Sequence, residues 1–328
     1  DKFISQCDVI VHLAAVNRHN DPQVIYNTNI DLVKKLIESL NRNNSVAHVI
    51  FSSSTQEDCD NFYGQSKKEG RKLLIDWTKK SGGIFTGLVI PNVFGPFGNP
   101  YYNSVVATFS HQLTHNEKPK IDLDGRLKLI YVGELINEIY RVILDAKGCP
   151  ELKLDYTSEI KVSELLEKLN SYKDQYLNNG AIPELNTTFE KNLFNTYRSY
   201  IDYKSFFPYN LKQHVDDRGT FVEIIRTLSS GQVSSSTTKP GLTRGNHFHT
   251  RKIERFTVIK GKALIRIRRI GTNNILDFKL DGDKPAFVDM PIWYTHNITN
   301  IGSDDLYTQF WTNEFYDSSK SDTYFEKV

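Results

Sequence analysis

The first half of the chain alternates short apolar runs with stretches in which apolar residues return every three or four positions. Asp8 to Ala15 (DVIVHLAA) is rich in β-branched side chains, the mark of a strand covered on both faces. From Val24 to Asn43 the positions Ile25, Ile30, Val33, Leu36, Ile37 and Leu40 follow helical spacing, and Ala47 to Ser53 is strand-like again. A helix from Tyr63 to Lys80 and a strand from Ile84 to Ile90 continue the order. Asn103 to His115, the strand-like Lys128 to Val132, a helix over Glu134 to Lys147 and another over Ser163 to Tyr176, with Ser163 as N-cap, extend it. Strand and helix in alternation predict an α/β domain on a parallel sheet. The pattern loosens between Asn178 and Tyr209, so the junction is placed near residue 200. From Gln213 onward short alternating runs (Thr220 to Arg226, Phe256 to Lys260, Ala263 to Arg268, Ala286 to Asp289, Leu306 to Trp311) separated by Gly, Asp and Pro turns predict an all-β domain over 201–328.

Composition removes several function classes. Charges nearly cancel, 41 basic against 39 acidic residues, so no field suited to nucleic acid or an anionic membrane is expected. Three widely spaced cysteines, Cys7, Cys59 and Cys149, argue for free thiols in a reducing cytoplasm and against a disulfide framework or a cysteine metal site. With no apolar run of about eighteen residues and no signal peptide, the reading is a soluble cytoplasmic protein without membrane insertion. The chain opens at Asp1-Lys2-Phe3, without methionine, and enters a buried strand almost at once; an authentic N-terminal segment is expected to be missing before it.

Chemistry concentrates first between Gly241 and Asn300. Imidazoles and a carboxylate are the ligands that divalent transition metals prefer, and His247, His249, Glu254 and His296 supply them. The His-x-His spacing points two rings to one side of a strand. The odd step to Glu254 would flip the face, so Thr250 to Lys252 is expected to turn and return Glu254 on the partner strand, with His296 arriving from a third. The full spacing, Gly241-x5-His247-x-His249-x4-Glu254-x6-Gly261 followed by Pro291-x4-His296-x3-Asn300, resembles the two metal motifs of the cupin family. That resemblance implies a small antiparallel jelly-roll barrel with the metal inside. Zn²⁺ is the expected ion, while three nitrogens and one oxygen also suit Ni²⁺, Fe²⁺ or Mn²⁺. Where the second motif usually has glycine two residues after its proline, this chain has Trp293, expected to change the turn and place an aromatic wall over a pocket.

The second constellation is Tyr63-Gly64-Gln65-Ser66-Lys67, directly after the serine-rich strand end Ser52-Ser53-Ser54. Four helical residues bring Tyr63 and Lys67 to one face, where an ammonium is expected to lower the phenol from its usual pKa of about 10. A proton donor, a group that tunes it and a second hydroxyl are the equipment for reducing a ketone. Together with His12-Leu13-Ala14-Ala15 and Pro91-Asn92-Val93-Phe94-Gly95-Pro96, these residues resemble the extended short-chain dehydrogenase/reductases that act on nucleotide sugars, with a Rossmann-type fold. The resemblance covers roughly residues 1 to 175. It implies Tyr63 as acid/base, Lys67 as its partner and nicotinamide-ribose anchor, and Ser54 as the carbonyl-polarising hydroxyl, with Ser53 or Thr55 as substitutes. Leu13, Ala14 and Pro91 would border the cofactor, and Asn92 and Phe94 the substrate. Two features of that family are absent: the Gly-rich turn that meets the cofactor pyrophosphate, and an arginine shortly before Pro91, where Val89 stands.

The order of the halves, with Lys239-Pro240-Gly241, Gly245-Asn246-His247, Val215-Asp216-Asp217-Arg218-Gly219 and Asp322-Thr323-Tyr324-Phe325, resembles the CapF or WbjC family of bifunctional capsular-polysaccharide enzymes, essentially end to end. The resemblance implies a reductase domain over 1–200 and a metal-binding cupin over 201–328. The cupin would epimerise C3 of a UDP-2-acetamido-2,6-dideoxy-4-hexulose. The reductase would then reduce the C4 ketone with NADPH, NADH being the other donor to consider, on the route to UDP-N-acetyl-L-fucosamine. Tyr294 is the candidate acid or base of the cupin, with Lys239, Arg244 and His214 as others; Lys239 and Arg244 are also candidate substrate-binding residues. A homodimer is expected. Two rivals stand beside this reading: a fused metal-dependent oxygenase or isomerase, and a non-catalytic sugar-binding or dimerisation module.

Overall fold

A computed structural model describes residues 2–217 and 219–328, so Asp1 and Arg218 of the motif above lie outside the described residues. It divides into two compact units, one running to Thr108 and resuming over Ile121–Ser163, the other holding Phe109–Lys120 and Glu164–Val328.

In the first unit the elements are β1 Val9–His12, α1 Pro22–Arg42, β2 His48–Ser54, α2 Phe62–Ser81, β3 Ile84–Ile90, β4 Asn92–Phe94, α3 Val105–Thr114, β5 Arg126–Tyr131, α4 Val132–Asp145, β6 Cys149–Lys153, β7 Ser158–Lys161 and α5 Val162–Tyr172, the third and last of these helices running on into the second unit. The main sheet has the order β1-β2-β3-β6, every pair parallel. Period two splits β2 between two cores: Val49 and Phe51 pack with Val33, Leu74 and Trp77, while Ile50 packs with Leu88, Ile90 and Ile130. Local chemistry sets the helix ends. Asp21 accepts from the Gln23 amide ahead of Pro22, and α2 stops at Gly82 with φ 73°. Ser163 is not the expected N-cap; it sits in the first turn of α5, where its amide and hydroxyl donate to the Asp124 carboxylate at 2.8 and 2.9 Å.

The second unit continues with α6 Thr188–Arg198, α7 Tyr203–Phe206, β8 Tyr209–Asn210, β9 Gln213–Asp216, β10 Gly219–Val222, β11 Gln232–Thr238, β12 Thr243–Phe248, β13 Glu254–Lys260, β14 Lys262–Arg269, β15 Ile275–Asp281, β16 Ala286–Met290, β17 Tyr294–Asn300, β18 Leu306–Thr312 and β19 Tyr324–Phe325. Two five-stranded antiparallel sheets, β11-β18-β13-β16-β8 and β15-β14-β17-β12-β19, carry the core, in which Phe256, Val258, Ile265, Ile267 and Ile298 are buried.

Residues 164–206 belong to the second unit, where buried polar contacts bind them to the β sheets. Arg255 of β13 forms a two-bond ion pair with Asp289 of β16 at 2.7 and 2.9 Å and donates to the Gly180 carbonyl at 2.8 Å. Tyr176 donates to the same carboxylate at 2.6 Å, and all three side chains are buried. Buried Arg198 of α6 donates to Met290 O at 3.2 Å. Asp289→Ala leaves the Arg255 guanidinium buried without its counter-ion, so a loss of about 3–5 kcal/mol is expected in denaturant unfolding. Replacing Arg255 and Asp289 together by Met and Leu is expected to cost less than the single change, since the Arg255 charge leaves with its counter-ion, while buried Arg198 and the Tyr176 hydroxyl still lose Asp289.

Candidate functional site

The four-residue cluster forms where the two sheets of the second unit face each other. A bulge shifts the β12 register between Gly245 and His247, with Asn246 at φ 64°, and sets His247 directly opposite His296 of β17. The turn after His249 does not return Glu254 on a strand paired with β12, as the spacing predicts. It crosses to the other sheet, where Glu254 opens β13. One ligand atom from each of His247, His249, Glu254 and His296 lies within 4.8 Å of the others, and among the described residues this is the group able to hold an ion.

Electrostatics favour that use at His247 and Glu254, while His249, lowered by burial, is raised on balance by Glu254 and Asp322. Burial, then His296 and His249, lower His247 to about 4, so its imidazole is neutral. Burial alone would raise Glu254, but His249 and His296 outweigh it and keep the carboxylate ionised, below its ordinary range. Its Oε2 stands 3.1 Å from His249 Nε2 and 3.2 Å from His296 Nε2. The Nδ1 atoms of the same rings face main-chain carbonyls, Asp322 O at 2.6 Å and Tyr294 O at 3.2 Å, which leaves their Nε2 lone pairs for the interior. His296 Nε2 is buried with no well-directed hydrogen bond. Inward nitrogens, an ionised carboxylate and backbone-fixed tautomers fit a divalent ion.

Among the other expectations for this half, Trp293 is corrected. It adopts φ 63°, the left-handed region that a glycine enters freely and other residues at roughly 1–2 kcal/mol, and it stacks on Phe248 at 5.8 Å. Phe248 lies between His247 and His249 and points to the opposite side, so the aromatic wall stands outside the cluster. Tyr294 shares a strand face with His296, packs edge-on against Tyr203 at 5.5 Å, and is raised by burial. The Arg244 guanidinium donates to Thr238 Oγ1 and Thr237 O, and Lys239 is exposed beyond β11. His214 is exposed on β9.

The reductase constellation assembles at the carboxyl ends of β1, β2 and β3, the place where open parallel sheets bind dinucleotides. A cleft of about 470 Å³ there is lined by Leu13, Ser54, Tyr63, Pro91 and Asn92, among others. Asn61 caps α2 by accepting from the Gly64 amide, and an added Cβ at Gly64 would stand 1.9 Å from Gln56 O, so only glycine lets the start of the helix seat Tyr63 here. Lys67 is buried, donates to Ser52 O at 2.7 Å and lies 5.7 Å from the Tyr63 ring centre. Ser53 and Ser54 both border the cleft, the Ser53 hydroxyl being engaged by Glu57, while Thr55 is exposed outside the lining.

Three expectations change. Burial, with Tyr102 adding, raises the Tyr63 phenol, and burial lowers Lys67 to about 8 against the pull of Glu57. Desolvation of the phenolate therefore sets the direction at Tyr63, opposite to the expected lowering. Phe94 is buried against Tyr131 at 5.4 Å, its register partner on β5, and does not line the cleft. Ala14 is exposed in the loop beyond Leu13, also outside the lining. Sequence reading also missed Asn29. Its side chain accepts from the Val16 amide at 2.7 Å and donates to Val16 O and Ser66 Oγ at 2.9 Å each, tying the loop after β1 to the helix of Tyr63 and Lys67. A polar residue among the apolar positions of α1 was its signal. The described residues hold no Gly-rich turn, and none of their helices is long and apolar enough to cross a membrane.

Comparison with known proteins finds a family match in each half. Residues 1–151 match the NAD dependent epimerase/dehydratase family, and residues 214–324 match the polysaccharide biosynthesis C-terminal domain. The chain is 34% identical over 326 residues to the UDP-2-acetamido-2,6-beta-L-arabino-hexul-4-ose reductase of Pseudomonas aeruginosa, covering 98% of this chain and 87% of that one. The crystal structure of the capsular polysaccharide assembling protein CapF from Staphylococcus aureus is similar at 36% identity and a TM-score of 0.61, over 100% of this chain and 89% of that one. CapF with the inhibitor 3-isopropenyl-tropolone gives 33% identity and a TM-score of 0.56, over 100% and 88%. Identity at this level along nearly the whole chain means that the protein belongs to the family of the Pseudomonas aeruginosa reductase and Staphylococcus aureus CapF.

Proposed function

We propose that this chain performs two consecutive steps on a UDP-2-acetamido-2,6-dideoxy-4-hexulose: epimerisation at C3 in the second unit, read as a cupin, and reduction of the C4 ketone in the first, on the route to UDP-N-acetyl-L-fucosamine. The observation that carries this reading is one chain holding both a buried cluster of three imidazoles and a carboxylate and a Tyr63–Lys67 cleft at the ends of a parallel sheet. The relatives support the reduction through the name of the reductase and the nucleotide-sugar setting through its UDP-linked substrate.

The cleft bordered by Leu13, Tyr63 and Pro91, with Lys67 behind Tyr63, would hold a nicotinamide dinucleotide, NADPH in our reading, which would supply the hydride. As negative charge grows on the C4 oxygen, the Tyr63 phenol gives it a proton and the Ser54 hydroxyl donates a second hydrogen bond. A phenol held protonated by burial suits a proton donor, and the Lys67 ammonium behind the ring compensates the phenolate left behind. In the other unit a divalent ion held by His247, His249, Glu254 and His296, Zn²⁺ in our reading, would supply Lewis-acid polarisation of the sugar oxygens. The C4 ketone already acidifies the C3 proton. Tyr294, on the His296 face of β17, is our candidate for moving that proton.

Incubating the metal-loaded protein with the 4-keto sugar in D₂O, without a nicotinamide cofactor, tests the first step. Deuterium is expected at C3, read by mass spectrometry. No exchange would make the β unit a binding or dimerisation module and leave the chain a ketoreductase alone, and oxygen uptake would point to an oxygenase.

A further inference from the structure

We infer that segment 321–327 is a strap that preorganises the cluster, with Asp322 as its positioning residue. The inference rests on the cluster being a metal site. Four of the strap's contacts reach the pieces of chain that carry the ligands. β19 pairs with β12 at His247 and Phe248. The Asp322 carbonyl faces His249 Nδ1 at 2.6 Å. Glu326 N donates to Asn246 O at 3.0 Å, on the bulge that aims His247. Thr295 Oγ1, beside His296, donates to Glu326 O.

Asp322 has the further task of holding the turn between His249 and Glu254. Its Oδ1 accepts from Thr250 N at 3.1 Å and Thr250 Oγ1 at 2.6 Å; its Oδ2 accepts from Arg251 N at 3.0 Å and Lys252 N at 2.9 Å. Three successive amides converge on one carboxylate in a residue that is 4% exposed. This turn carries the chain from one sheet to the other, so its shape sets the separation of His249 from Glu254. One residue therefore fixes the ring orientation of His249 through its carbonyl and the crossing to Glu254 through its side chain. Partners of this kind typically govern metal affinity by about 10–100-fold.

The test is Asp322→Asn in the full chain, with Zn²⁺ affinity measured by competition with a chromogenic chelator and the ligand field read from the visible spectrum of the Co²⁺-loaded protein. Whichever way the amide is turned, the asparagine NH₂ faces at least one of the three main-chain amides, donor against donor, so the turn loses part of its hold. Affinity is expected to fall about 10–100-fold and the Co²⁺ bands to shift. Asp322→Glu keeps the charge but displaces it by one methylene; a smaller loss in the same direction is expected, and this variant gives the reading if the asparagine protein does not fold. Unchanged affinity and bands, with only a lower unfolding midpoint, would overturn the positioning role. If the unaltered protein itself binds neither ion, the metal reading falls as well, and the two failures are thus distinct.

Discussion

Tyr63→Phe is expected to lower ketone-dependent NADPH oxidation by roughly 10²–10⁴-fold, the usual contribution of a positioned proton donor. The change removes one oxygen from a ring that lines the cleft and leaves Lys67 bonded to Ser52 O, so the helix and its capping by Asn61 should survive. The diagnostic is the second activity: C3 deuterium exchange, measured on the same preparation without cofactor, should stay within about twofold of the unaltered protein. Loss of both would show that one site performs both steps and that the division between the two units is wrong.

His247→Ala is the converse experiment. It removes a ligand directly opposite His296 without touching the turn held by Asp322. Bound metal, measured by elemental analysis after dialysis, should fall sharply. Lewis-acid stabilisation of developing charge is worth several kcal/mol, and each 1.4 kcal/mol is a factor of about ten, so C3 exchange should drop by at least ~100-fold. Reduction of a ketone already epimerised at C3 should continue, because Tyr63 and Ser54 belong to the other unit. Retained exchange in a protein that has lost its metal would instead place the chemistry on side chains alone.

Much of this arrangement was legible because it rests on short-range regularities. β1, β2, β3 and α2 announce themselves by β-branched runs and helical spacing, and the ligand set by residue type at fixed intervals. The illegible parts depend on partners distant in sequence. α6 lies where the sequence pattern loosens because the residues it buries include Asn195, Thr196 and Arg198 beside Leu193, Phe194 and Tyr197, and a helix that buries polar groups shows no clean apolar stripe. Its N-terminal signal, Thr187 with Glu190 three residues on, was present and is realised as a capping box. The crossing of Glu254 to the opposite sheet could not be read from spacing, which gives the side of a strand but not which sheet the next strand joins. Nor could the balance at Tyr63, where the depth of burial, not the identity of its neighbour, decides the direction.

The buried ion network of Arg255, Asp289 and Tyr176 also bears on how such genes can be shuffled. Tyr176 and the Gly180 carbonyl complete a charge pair carried by strands that follow much later in the chain. A recombination crossover between residues 180 and 255 would marry one lineage's tyrosine to another's arginine and aspartate. Chimaeras joined near Ser163 inherit the set intact, and these are the exchanges that descent should tolerate.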